Sequence, residues 1–422
     1  MKTMHLLFMA ICAARPLFAE PAAAVAPYVA HEWGTFTSVQ GTDGIQMDWN
    51  PLNIWDLPNF VYTLNRPGLN RRPGVLIAGK SAIRSRQRME TPVIYFYSEK
   101  PRKIDVGVDL PEGSITEWYP QAIFPNEFNP LIVKKPFGPP KGLRWPRLTI
   151  EASAAEKPAP LPNDGAGSHY YAARETDASL ISIATRDGAQ ESEKFLFYRG
   201  VASFVAPLTV STDGDHAQTV HLKNTGKETL QSLFLYRARE GRGTVLSIAN
   251  LAANETRTIS FPSDESDQPL GPLREVLGRQ LQSALTAAGL YPKESAAMVH
   301  TWQESWLGES GIRVLYILPR EWTDRTLPLT LSPAPREIAR VMVGRAEIIT
   351  PSMERALNEE VERFSTEDPD LRAQAVANTR NLDLGRFAES AMRRVMKNRT
   401  PVFSARSWEL LQATGKKPPL LP

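Results

Sequence analysis

The chain has 422 residues, 42% hydrophobic and 23% charged, with a formal net charge of +3. That length accommodates two or three domains, and the composition is that of a chain with packed cores. A charge so near zero gives no basic stripe of the kind nucleic-acid binding needs. The 35 prolines favour loops and edge strands over long helices.

Residues 1–26 read as an export signal. Lys2 supplies the positive start, residues 6–14 a short apolar run, and Leu17-Phe18-Ala19 or Ala22-Ala23-Ala24 a small-residue approach to cleavage. Arg15 and Pro16 end the apolar run well short of the ~20 residues a spanning helix needs. Cys12 is the single cysteine, so removal of the signal leaves a chain with neither disulfide nor thiolate nucleophile. No later stretch has the length and apolarity of a transmembrane segment. The expected location is secreted or periplasmic.

Residues 27–152 form an N-terminal β-rich block. Tyr28 to Val39 is rich in aromatic residues and Thr and predicts a strand, followed by a turn at residues 40–44. A short helix is expected at residues 57–64, between Trp- and Pro-rich loops. Arg71, Arg72, Arg84, Arg86 and Arg88 then crowd one stretch, either as solvated surface or as an anion clamp. Val93 to Tyr97 is a strand by composition, and Ile104, Val106, Val108 and Leu110 alternate with polar residues as a half-buried strand does. Ser114 to Tyr119 and residues 148–150 predict further strands, with residues 134–146 as loop between them. Residues 153–194 read as a loop or linker with short strands.

Residues 195–262 carry short strands at regular spacing with turn signals, the pattern of an Ig-like antiparallel sandwich. Residues 272–415 form an α/β region ending in helices. Leu273, Val276, Leu277, Leu281 and Leu285 share one helical face, and Gly289 stops that helix. A second helix runs from Pro292 to Trp306, with Met298, Trp302 and Trp306 in register. Strands follow at residues 313–318 and 338–343. Thr350-Pro351 is a helix start, with Thr as cap and Pro in the first turn. The expected fold is α+β and β-rich, with antiparallel sandwich-like blocks and C-terminal helices packed on them.

No HExxH, paired His, P-loop, GxGxxG or GxSxG pattern is present, and no cofactor can be named from the sequence. The candidates for chemistry are subtler. His300 and Glu304 lie four apart on one helix face, as the start of a metal site, an acid/base pair or a plain surface hydrogen bond. His31 and Glu32 are adjacent on a strand and point to opposite faces. Glu32, Glu90, Glu117 and Glu304 are candidate acids and bases. Two such carboxyls about 5 Å or about 6.5–9.5 Å apart suit glycoside hydrolysis. Arg88 and Arg199 are candidate orienters. Of the nine tryptophans, Trp33, Trp118, Trp302 and Trp306 each lie near a Glu or His in sequence, as sugar-stacking residues do, though such residues more often serve as core.

The motifs His31-Glu32-Trp33-Gly34-Thr35-Phe36, Met89-Glu90-Thr91-Pro92 with its following strand, Phe197-Tyr198-Arg199-Gly200, and the run from Met298 through Val343-Gly344-Arg345 resemble a family of exported bacterial proteins with an N-terminal HEWGTF motif. The resemblance spans most of the chain after the signal. It implies export, and it brings no activity, cofactor or catalytic residue with it.

The sequence thus points first to an exported protein with a polar-aromatic cleft that binds, with or without hydrolysing it, a glycan or other polar small molecule. A non-catalytic envelope or interaction protein is the alternative. A metal-dependent hydrolase built on His31, His300 and a carboxylate is the third reading.

Overall fold

The computed structural model describes residues 27–49, 57–63, 84–125, 140–153, 160–165, 167–214 and 217–415. Residues 1–26, expected to be an export signal, and Trp55, Arg71, Arg72 and His216 lie outside the described residues. One sheet of ten strands dominates. Its spatial order is β15 (Gln268–Pro269), β13 (Arg242–Leu251), β12 (Leu230–Arg239), β16 (Gly311–Ile317), β18 (Glu337–Ile348), β1 (Val29–Gln40), β3 (Gln87–Tyr97), β9 (Leu196–Ala202), β5 (Gly113–Tyr119) and β2 (Tyr62–Thr63). The central β1–β18 pair is parallel, and the other neighbours in this sheet are antiparallel. A five-stranded sheet has the order β17 (Leu329–Ser332), β4 (Arg102–Asp109), β6 (Gly142–Ile150), β7 (Ile181–Ala184), β8 (Gln190–Glu193). A third sheet joins β10 (Leu208–Asp213), β11 (Thr219–Asn224) and β14 (Thr256–Ser260). The helices are α1 (Leu270–Ala287), α2 (Pro292–Gln303), α3 (Arg320–Thr326), α4 (Pro351–Phe364), α5 (Pro369–Asn381), α6 (Ala388–Met396) and α7 (Pro401–Ala413).

The protein is therefore β-rich, with sandwiched sheets and helices that include a C-terminal set. The sandwich forms where one face of the large sheet meets the two smaller sheets. Phe36, Ile94, Phe96, Leu196, Leu235 and Met342 pack there against Val106, Leu148, Leu208 and Leu222. The opposite face carries Trp33, Tyr95, Phe197, Tyr236 and Val341, covered by α1 and α2. At one end, Val39, Trp49 and Ile349 pack against α4 to α7. The large sheet draws strands from each of the sequence blocks 27–152, 195–262 and 272–415.

All twelve residues of β1 are buried. With both faces covered, no solvent face remains to receive polar residues, and each polar side chain of β1 needs a partner inside. The pairing of β1 with β3 slips between Trp33 and Thr35. At the slip a Cβ on Gly34 would stand 2.9 Å from the Pro92 Cα, so only glycine fits beside that proline. Pro92 itself has no N–H for the ladder and is tolerated because the bulge has already interrupted it.

Gly344 in β18 has a similar role. It pairs with Tyr316, and a Cβ would lie 2.3 Å from the Tyr316 ring. We expect Gly344→Ala to lower the stability of the fold by about 1–3 kcal/mol, as overpacking does. Urea unfolding checks this, and an unchanged midpoint would mean that the ring can move aside.

Three local expectations need correction. Residues 57–61 form turns leading into β2 rather than a helix, since Pro58 and the pairing of Tyr62 with Trp118 draw the chain into extended structure (residue 64 lies outside the described residues). Val276 is exposed, while Leu273, Leu277, Leu281 and Leu285 are buried as expected, each contributing about 1.5–3 kcal/mol. The described end of the 134–146 stretch enters β6 at Gly142, anchored where Trp145 Nε1 donates to the Pro120 carbonyl at 3.0 Å. The Thr350 cap is as expected, its Oγ1 accepting from the Met353 N–H at 3.3 Å.

Candidate functional site

Charged side chains are rarely buried unless paired. The helix-covered face of the large sheet holds many, in a connected layer. On β3, Arg88 Nε lies 3.0 Å from Glu90 Oε1. Thr37 of β1, directly opposite Arg88, donates to Glu90 Oε2 at 2.9 Å. Arg386 reaches in from the segment before α6 and donates to Glu90 Oε1 at 2.6 Å. Burial alone would raise the Glu90 carboxyl. The Arg386, Arg88 and Arg199 guanidinia, with the Thr37 hydroxyl, outweigh it and hold the pKa at about 2. Farther along the sheet, Glu117 of β5 pairs in register with Arg199 of β9, with 3.4 Å between carboxylate and Nε. Thr116 donates its hydroxyl to the same carboxylate.

The layer continues through β16 and β18. Glu347 accepts from Arg345 Nη2 at 2.7 Å and lies 3.1 Å from Arg313 Nε. Arg345 Nη1 donates at 2.7 Å to both the carbonyl and the hydroxyl of Ser305. Arg386 Nη2 donates to the same hydroxyl at 3.0 Å. Arg345 Nη2 also donates to Glu309 Oε2 at 2.6 Å. The Glu309 carboxyl would rise through burial, but Arg345, Arg386 and Arg313 bring it below the usual carboxylate range. Its side chain is 40% exposed, against 4% for Glu347 and 2% for Glu90. Glu309 is thus where the layer meets solvent.

Ser305 and Glu309 owe their positions to a π-helical turn, Glu304–Gly308, that follows α2. The Glu309 N–H donates to the Glu304 carbonyl at 3.1 Å. This wider turn shifts the phase of the helix and presents Ser305 to the arginines, while Glu304 stays at the surface.

Glu32, on the other face of β1, belongs to a separate group. Its carboxylate accepts from Arg340 Nε at 2.6 Å and from the Tyr198 hydroxyl. Arg340 also donates to Asp324 at 2.7 Å and to the Leu327 carbonyl at 2.6 Å. His31 faces the helices, as strand alternation requires. Its Nδ1 lies 2.8 Å from Glu294 of α2, which also accepts from the Tyr97 hydroxyl at 2.7 Å.

The structure therefore brings four of the candidates together: Arg88, Glu90, Glu117 and Arg199. It places Glu32, Glu304, His31 and His300 elsewhere. His300 is exposed and its Nδ1 is 3.0 Å from Glu175, so the two histidines have different carboxylate partners. Among the described residues, no group of three or more His, Cys, Asp or Glu is placed to hold a metal ion. Trp33, Trp118 and Trp302 are buried in the cores, where their ring area is spent on packing, and Trp302 lies stacked 6.4 Å from Trp306. A surface groove of about 390 Å³ between α1 and the sheet, lined by Phe234, Ser247, Val276, Arg279, Gln280 and Ser283, shares no residue with the layer.

Sequence reasoning missed Ser305, Glu309, Arg313, Arg345, Glu347 and Arg386. A signal existed for Arg313, which opens a strand that otherwise reads as fully buried, where a charge calls for a partner, whereas Arg345 and Glu347 lie beyond the 338–343 strand expected from the sequence, which extends to Ile348.

No family model matches the chain, and no curated protein matches it. Among solved structures, the chain is similar to the yeast delta-COP-I mu-homology domain at 9% identity, covering 78% of this chain and 100% of that one, with a TM-score of 0.29. It is similar also to that domain complexed with the Dsl1 WxWxV peptide, at 8% identity, 76% and 96% coverage and a TM-score of 0.26. Likenesses of this size carry no argument about this chain. Among the described residues, no helix is long and apolar enough to cross a membrane.

Proposed function

We propose that this is an exported protein that binds a glycan or another polar small molecule at the solvent edge of the arginine–glutamate layer, without hydrolysing it. The observation that carries this reading is the convergence of Arg345 and Arg386 on the Ser305 hydroxyl beside the exposed Glu309 carboxylate. Planar guanidinium forks with a hydroxyl between them suit recognition of polar ligands. The signal-like residues 1–26 support export. Hydrolysis is the less supported half of the expectation. A general acid must carry a proton near neutral pH, and the arginines keep Glu90 and Glu309 ionised there.

Titration calorimetry of the mature protein against neutral and acidic sugars, with parallel assays for reducing ends, tests the reading. Saturable binding without turnover is expected. Ser305→Ala and Arg386→Gln should each weaken it at least tenfold, with circular dichroism retained. Binding that is indifferent to both variants, or no binding across the panel, would overturn the proposal.

A further inference from the structure

We infer that Glu309 is an internal stand-in for the ligand, and that the ligand therefore presents a carboxylate to Arg345 and Arg386. This rests on the reading just given and names its substrate class, an acidic sugar.

Glu309 differs from the other acids of the layer in what its departure would leave behind. If its side chain swings out, Arg345 keeps Glu347 at 2.7 Å and Arg386 keeps Glu90 at 2.6 Å. Neither arginine becomes an uncompensated buried charge, so the exchange avoids the large penalty of breaking a buried pair. The same is not true of Glu347, whose departure would take away the carboxylate that Arg313 meets at 3.1 Å.

The surroundings of Glu309 stay fixed when its side chain moves. Its own N–H is held by the Glu304 carbonyl, and the next carbonyl, of Ser310, accepts from Arg313 at 2.6 Å. Gly311, which follows, has φ +121°, a region that favours glycine, and a Cβ there would lie 2.7 Å from Glu347. The backbone is thus anchored on both sides, and rotation of the side chain alone vacates the place beside Arg345. What remains is a guanidinium edge and the Ser305 hydroxyl, which is 2.7 Å from Arg345 and 3.0 Å from Arg386.

The charge requirement follows. The layer sets five arginines (Arg88, Arg199, Arg313, Arg345, Arg386) against four glutamates (Glu90, Glu117, Glu309, Glu347), and Glu309 supplies one negative charge of that balance. An entering group that takes the place of Glu309 restores this balance if it brings one negative charge. A hexuronate carboxylate has that charge and the planar, two-oxygen shape that Glu309 itself presents.

The test compares wild type, Glu309→Gln and Arg386→Gln, titrated with galacturonate, galactose and inorganic phosphate at fixed ionic strength. An internal competitor present most of the time lowers apparent affinity by its occupancy. Glu309→Gln should therefore bind galacturonate about tenfold more tightly than wild type. Galactose should gain nothing, and Arg386→Gln should bind galacturonate at least tenfold more weakly. Unchanged or weaker galacturonate binding by Glu309→Gln, beside a loss in Arg386→Gln, would leave the binding site standing and overturn the stand-in. An equal gain for phosphate would overturn the carboxylate class. Saturable binding of none of the three by any variant would overturn the stand-in together with the site. Glu309→Ala serves as the second variant should the Gln form fold poorly.

Discussion

Glu90→Gln is expected to destabilise the fold by about 3–5 kcal/mol, the usual cost of breaking a buried ion pair from one side. The amide retains the shape of the carboxylate and can still accept from Thr37. It cannot neutralise Arg88 and Arg386, which lie 3.0 and 2.6 Å from the native carboxylate. The pH dependence gives a second readout. The folded carboxyl is held at about 2, below the ordinary 4.5. A depressed carboxyl contributes stability above its unfolded pKa and loses it as pH falls through the folded one. The native protein should thus lose about 3 kcal/mol from this group between roughly pH 5 and pH 2. In Glu90→Gln that part of the acid limb should flatten. Urea unfolding at several pH values measures both. A cost under about 1 kcal/mol with an unchanged acid limb would mean that Glu90 is not the ionised centre of the layer.

Arg340→Met is expected to cost a similar amount, on the opposite face of the sheet. It leaves Glu32 buried beside the Tyr198 hydroxyl without the guanidinium and frees the Leu327 carbonyl. An ionised carboxylate so placed costs several kcal/mol. The double change Glu32→Gln with Arg340→Met should be milder than Arg340→Met alone, because the orphaned charge is gone. The coupling from this cycle should be 1–3 kcal/mol in order of magnitude. Additive single effects would show that Glu32 and Arg340 do not depend on each other.

Much of the local structure was legible because it follows short-range rules. The α1 leucines keep a helical period, Thr350-Pro351 caps α4, and Ile104, Val106 and Val108 alternate along β4. The arrangement of the large sheet was not legible, because its pairings are remote. Thr35 of β1 donates to the Val343 carbonyl across 308 positions of sequence. Four residues of the candidate site were readable from local pattern. Arg88, Glu90, Glu117 and Arg199 stand out as charges in strand-like runs. Ser305 and Glu309 were hidden by the π-turn, since a 3.6-residue period favours Glu304 as the partner of His300, and the extra residue per turn rotates the sequence past that position. The aromatic reading of Trp33, Trp118 and Trp302 failed because a tryptophan beside a Glu in sequence gives no information on whether its ring faces a pocket or a core.

The parallel pairing of β1 with β18 governs when the protein can fold. β1 ends at Gln40, and its partner is complete only at Ile348. A chain emerging from its N-terminus therefore carries β1 and β3, with part of their polar side chains still lacking partners, until more than three quarters of its length has been made. Glu32 waits for Arg340, and His31 waits for Glu294. Contacts so far apart in sequence form slowly, because a long loop must close before any pairing is gained. N-terminal fragments should behave as unfinished sheets with open edges, prone to stick to one another, and assembly of the core becomes a late and collective event rather than one that proceeds block by block.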